Sequence, residues 1–168
     1  MALLTISSFA YYLLELQIER ELGSVISNTI YSQTSEISAY AVAGIVFSTF
    51  GARNTLYIMY GLTLFGTFLL FFFYTDEQGS EMAFTIAKFG VSGSFTAIYL
   101  CAIINVPTVY AASVFGYCNA VARIFTILAV DPSVAELEYP DTIIIGLLLG
   151  ICAVLVTTKL VTDLPKFE

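Results

Sequence analysis

Apolar residues run in six blocks through nearly all of this chain, and most of the blocks are as long as a lipid bilayer is thick. They occupy 2–16, 33–50, 55–74, 82–105, 109–130 and 142–162. A helix needs about 20 residues, within a range of roughly 17–25, to cross the ~30 Å of hydrocarbon in a membrane. All but the short first block meet that length. A β-barrel also satisfies its backbone in lipid, but its strands are only about 10 residues long and alternate apolar with polar side chains. No such alternation is present. Charged residues are 11% of the 168-residue chain, against about a quarter in a soluble domain, and the mean hydropathy is +0.88. The expected fold class is therefore an all-α membrane protein, one six-transmembrane-helix bundle over residues 1–168.

The N-terminus lacks the marks of a cleaved secretory signal. Residues 1–4 carry no basic stretch, and no small-residue cleavage pattern precedes Glu15. Block 2–16 is expected to be retained, tilted or only partly inserted. Cys101, Cys118 and Cys152 fall inside apolar blocks without paired spacing, as small buried hydrophobes do. The chain has no His and no CxxC pair, so no metal, haem or other cofactor is expected. No Ser or Cys has an activating partner, and no glycine-rich phosphate loop is present, so the chain does not read as an enzyme.

Threading six helices through a membrane sorts the connections onto two sides. One side receives the N-terminus, residues 51–54, the tight turn 105–108 and the C-terminal tail, with Arg53, Lys159 and Lys166 against Asp163 and Glu168. The other receives 17–32, 75–81 and 131–141, where Arg20 stands alone against Glu19, Glu21, Asp76, Glu77, Glu81, Asp131, Glu136, Glu138 and Asp141. Lys and Arg favour the side from which a chain inserts. Both termini are accordingly expected on the cytoplasmic or matrix side. The net charge of −7 sits mostly on the far face and argues against nucleic acid or anionic lipid as partners there. Turn signals agree: Asp76 to Gly79, Asp131-Pro132, and Tyr139-Pro140-Asp141, where Asp141 is expected to cap the last helix. Pro107 is expected at the start of the fifth helix. Tyr57, Tyr74, Tyr110 and Tyr139 lie near block ends, which suits the membrane interface.

Glu36, Lys88 and Arg123 read as charges set within apolar blocks, each several residues in from the acidic face. At about 1.5 Å per residue they share a depth on the order of 5–10 Å. An ionisable residue in a spanning segment costs about 2.5–3.5 kcal/mol on insertion scales and usually faces the bundle interior or a cavity. The three side chains either line a substrate or proton path, or snorkel to water and pair as Glu–Lys or Glu–Arg to hold helices together. Gly146 and Gly150 form a GxxxG pair for close helix approach, and the run Gly90 to Ser94 supplies another small face. Gly44, Gly61 and Gly66 read as packing sites too. Thr5, Ser7, Ser8, Gln33, Thr34 and Ser35 are able to bridge helices or bind a ligand.

Several stretches, in order, resemble the C-terminal half of the major facilitator superfamily, in its organic cation/anion transporter branch. Phe9-Ala10-Tyr11-Tyr12 resembles that branch's seventh helix, and Ser35-Glu36-Ile37-Ser38-Ala39-Tyr40 the start of its eighth. Phe50-Gly51-Ala52-Arg53 is similar to the basic turn before the ninth. Ala87-Lys88-Phe89-Gly90, Ser94 to Tyr99, Val106-Pro107-Thr108-Val109-Tyr110 and Ala122-Arg123-Ile124 resemble the tenth and eleventh helices and the turn between them. Leu164-Pro165 stands where the family ends its twelfth. Glu36, Lys88 and Arg123 match family positions.

The departures concentrate in the turns. Asn105 or a neighbour stands where the family has an acid, Ala111 or Ala112 where it has an arginine, and Ala52 and Asn54 where it has further bases beside Arg53. Those charges resemble the family's cytoplasmic latch; of the basic turn only Arg53 is kept, and Arg53, Pro107 and Thr108 are the candidate cytoplasmic-turn residues. The family works by rocking two six-helix bundles about a substrate held between them. One bundle has nothing to rock against, and its pathway face needs a cover. The resemblance implies two alternatives. The first is a degenerate half-transporter serving as a structural accessory subunit of a larger membrane complex, such as a respiratory complex of the mitochondrial inner membrane, with other membrane subunits and lipid as partners. The second is half of a working organic-ion carrier, completed by a partner bundle or a second copy. A Met at the start of the seventh-helix equivalent is expected to mark a natural half rather than a fragment.

Overall fold

The computed structural model describes residues 2–21, 25–73, 77–129 and 139–163, and the described secondary structure is helical. Among the described residues five helices follow one another: α1 (Ala2–Glu21), α2 (Val25–Phe72), α3 (Glu77–Asn105), α4 (Thr108–Ala129) and α5 (Tyr139–Asp163). Three stretches among the described residues are long and apolar enough to cross a membrane, Thr29–Phe72, Gly79–Ile104 and Asp141–Lys159, while Ala2–Glu15 is a shorter apolar helix.

The 48 residues of α2 are not one rod. A straight helix of that length would run about 72 Å, more than twice the thickness of a bilayer core. Gly51 breaks it with φ 76° and ψ 169°, a backbone conformation open essentially to glycine alone. The two limbs fold back on each other there. Ser35 donates its hydroxyl to the Thr85 carbonyl at 3.1 Å, and the α-carbon of Gly66 lies against the backbone of Ala87. Residues 35 and 66 would be roughly 46 Å apart along a straight helix. Both meet the same turn of α3, and Gly51 lies midway between them. The expected break at 51–54 is thus confined to Gly51, since residues 52–54 are already helical.

Two apolar clusters mark the two ends of the bundle. One gathers Leu14, Leu70, Phe84, Ala87 and Ile143. The other gathers Leu3, Leu56, Tyr60, Ala97, Cys101 and Ala153, with Ala52 packed against it. The start of α1, the Gly51 bend, the end of α3 and the later part of α5 therefore share one end. α3 packs most extensively on α2, whereas α4 leans mainly on α1. The α2–α3 seam is built from small residues: a Cβ on Gly90 would stand 2.5 Å from the Thr63 amide nitrogen. Such residues let helix backbones approach closely. The exterior is apolar, with Phe65, Phe72, Ile124, Ile127, Leu148 and Leu155 among many exposed large side chains. A surface of that kind suits lipid, since water-soluble monomers rarely expose extended apolar patches.

The connections expected at 17–32 and 75–81 are much shorter. α1 continues to Glu21, α2 begins at Val25 and α3 at Glu77. An apolar block measures the hydrocarbon it crosses, not the helix that carries it, and Gln, Glu and Arg are good helix formers that extend α1 beyond Leu16. Asp141 is not the cap of the last helix, which begins two residues earlier. It lies in the first turn of α5, where a carboxylate still favours the positive end of the helix dipole. Pro107 immediately precedes α4, its carbonyl accepting from the amides of Tyr110 and Ala111 at 3.0 and 3.1 Å. The expected turn at 131–138, the interfacial Tyr74, Asp76, and the tail residues Leu164, Pro165, Lys166 and Glu168 lie outside the described residues.

Candidate functional site: a two-signed cleft

One face of α1 is polar. Ser8, Tyr11, Tyr12 and Glu15 recur at the spacing that places side chains along a single helical stripe. Around Tyr11 and Tyr12 the structure assembles the ionisable groups of α2, α3 and α4.

Lys88 is entirely enclosed, and its ammonium forms an ion pair with the Glu15 carboxylate, a third of whose side chain stays exposed. The same ammonium lies 4.0 Å from the centre of the Tyr11 ring, a favourable cation–π placement. Tyr11 then donates its hydroxyl to Glu36 at 2.9 Å. Tyr40, one turn beyond Glu36 on α2, donates to the other oxygen of that carboxylate. Arg123 of α4 donates to the Tyr12 hydroxyl, with its guanidinium carbon 5.6 Å from the centre of that ring. The two tyrosine rings meet edge to face at 5.6 Å, so adjacent residues of α1 tie three helices together. Tyr99 stacks on Phe115 at 5.5 Å and donates to the Asn119 side-chain carbonyl at 2.8 Å.

These groups surround an open cleft of about 370 Å³, lined by Ser8, Tyr11 and Tyr12 from α1, Glu36 and Tyr40 from α2, Phe95, Thr96 and Tyr99 from α3, and Asn119 and Arg123 from α4. Glu36 and Arg123 both reach it. Lys88 lies behind Tyr11. The pairing left open between Glu36 and Lys88 or Arg123 is not what holds the helices: Lys88 takes Glu15, and Glu36 and Arg123 are each held by neutral phenols. Glu15 was missed because it falls at the end of the shortest apolar block, where a charge reads as the start of a loop. Its register with Ser8, Tyr11 and Tyr12 is the signal that finds it.

The other candidate residues lie away from the cleft. Arg53 is exposed beside the Gly51 bend, at the end of the bundle shared with Pro107 and with Thr108, the first residue of α4. Gly146 and Gly150 of α5 face α2, where added Cβ atoms would meet side-chain carbons of Thr67 at 3.4 Å and Leu64 at 2.5 Å. Backbone-to-backbone approach occurs instead at Gly66 and Gly90. Ser7 and Tyr60 share a buried hydrogen bond of 2.7 Å between α1 and α2. Cys101 is buried, Cys118 half-buried and Cys152 exposed, and none of the three forms a disulfide. Among the described residues no group of three or more acidic or cysteine side chains converges as metal ligands would.

No protein-family model matches this sequence, no curated protein matches it, and no solved structure matches its fold.

Proposed function

We propose that this chain is a non-transporting structural subunit of a membrane protein complex: a six-crossing helical bundle, resembling one half of a major facilitator superfamily transporter, that packs its cleft face against another membrane bundle. The observation that carries this reading is that Glu36 and Arg123 open together on a cleft of a bundle that exposes many large apolar side chains. Hydrocarbon against that face would leave polar groups at a cost of several kcal/mol. A covering bundle removes the cost. The non-transporting half of the reading is supported by the turns, where Ala52, Asn54, Asn105 and Ala111 or Ala112 replace the charges that the resembled family uses as a latch. The mitochondrial inner membrane, whose energy-transducing complexes gather small multi-pass chains, is the proposed location.

Native membranes solubilised in mild detergent should yield this chain in fixed stoichiometry with at least one larger membrane subunit. Recovery only as a free particle overturns the structural reading. A second reading, one wall of a small organic-ion carrier, is favoured by the size of the cleft and its two charges. Uptake in proteoliposomes that disappears with Arg123→Ala would replace the first reading with the second.

A further inference from the structure

The unused chemistry of the cleft is that of two opposite charges that do not meet. Glu36 and Arg123 line the same open volume, yet each is hydrogen-bonded to a tyrosine and not to the other. The Glu15–Lys88 pair neutralises itself behind Tyr11, so these two remain as the separated charges of the cleft. A guanidinium carries five N–H donors, and Tyr12 accepts from one nitrogen only. A carboxylate offers about four acceptor sites, of which the Tyr11 and Tyr40 hydroxyls occupy two. Both groups therefore keep capacity on the cleft side. The rings of Tyr11, Tyr40 and Phe95 line the wall near Glu36, and aromatic faces attract cations.

A lone cation would leave Arg123 uncompensated in a low-dielectric setting, and a lone anion would leave Glu36 so. We propose that the cleft is a binding site for a zwitterionic group, its ammonium on Glu36 among the aromatic rings and its phosphate or carboxylate on the Arg123 fork. The volume of about 370 Å³ lies at the low end of the ~300–1,000 Å³ of small-molecule sites. The same chemistry comes from two sources: the headgroup of a zwitterionic phospholipid wedged between this bundle and its cover, or a free solute such as phosphocholine. The inference stands apart from the structural-subunit reading, because loss of ligand binding leaves the stoichiometry of the complex unchanged.

The test uses the full chain, with whatever membrane subunits co-purify, in lipid nanodiscs. One arm compares retention of phosphatidylethanolamine with that of phosphatidylglycerol by native mass spectrometry. The other titrates phosphocholine, tetramethylammonium and dimethyl phosphate by isothermal titration calorimetry. In at least one arm the zwitterion should bind about tenfold tighter than the single-charge analogues, as the loss of one charge-assisted contact implies. Glu36→Gln and Arg123→Gln should each erase that preference, the first toward anions and the second toward cations. Arg123→Lys, which keeps the charge, should retain it, and guards against a variant that merely misfolds. Preference in the lipid arm alone identifies a headgroup site, and preference in the solute arm alone identifies a solute site. Equal binding of zwitterion and single-charge analogues by the wild-type chain overturns the proposal, as does absence of saturable binding in both arms.

Discussion

Lys88→Met should lower the stability of the bundle by about 3 kcal/mol, with Glu15→Gln rescuing most of the loss. Breaking a buried ion pair from one side costs roughly 3–5 kcal/mol, chiefly because the remaining charge is left uncompensated, whereas replacing both partners with neutral residues is often harmless. The low end applies here because Glu15 keeps a third of its side chain exposed while Lys88 is wholly enclosed. Lys88→Met also removes the cation from the Tyr11 ring. Tyr11 should still clamp Glu36, so helicity survives as cooperativity falls. Reversible unfolding in mixed micelles of dodecyl sulfate, followed by circular dichroism for both single variants and the double variant, measures the coupling. A double variant as unstable as Lys88→Met alone would show that the ion pair is not what holds α1 to α3.

Gly90→Ala and Gly66→Ala should each destabilise the fold by about 3 kcal/mol, at the upper end of what overpacking costs. At Gly90 the new methyl would meet the Thr63 amide nitrogen at 2.5 Å and the Met59 carbonyl oxygen at 2.8 Å, and at Gly66 it would strike the backbone of Ala87. Backbone cannot turn aside as a side chain does, so α2 and α3 must separate. Gly93→Ala should be milder, since its neighbour is the flexible Met59 side chain. Gly44, Gly61 and Gly116 have nothing within 4 Å of an added methyl, and alanine there should be neutral or stabilising by up to about 1 kcal/mol through helix propensity. The same unfolding assay ranks the series. Equal losses at Gly90 and Gly61 would refute the close α2–α3 seam.

The helical class and the approximate extent of the apolar stretches were legible because hydrocarbon imposes a length and a composition on any segment that crosses it. Gly51 was readable as a bend because Arg53 and Asn54 interrupt the apolar run beside it. The helix ends were less legible. Residues 17–21 and 77–81 are mostly polar, but polarity outside a membrane does not stop a helix, and both stretches are helical. For the cleft, Glu36 and Arg123 stood out as charges among apolar neighbours. What joins them did not, because Tyr11 and Tyr12 are unremarkable in an apolar block until α2, α3 and α4 surround them. Glu15 was hidden by its place near the end of its block, and its pairing with Lys88 spans 73 positions that no local pattern connects. The GxxxG pair in α5 drew notice by spacing, yet the tightest approach lies at Gly66 and Gly90. Glycine spacing marks a face able to pack closely without naming the helix that arrives.

The central claim, that the cleft face of a membrane-embedded bundle is covered by another membrane protein, is tested most directly by photocrosslinking in native membranes. A benzophenone amino acid replacing Tyr40, which lines the cleft and is 43% exposed, should give one discrete protein adduct of fixed mass. The same residue replacing Phe65, 55% exposed and away from the cleft, should label lipid. Lipid adducts alone from position 40, matching those from position 65, would contradict the account.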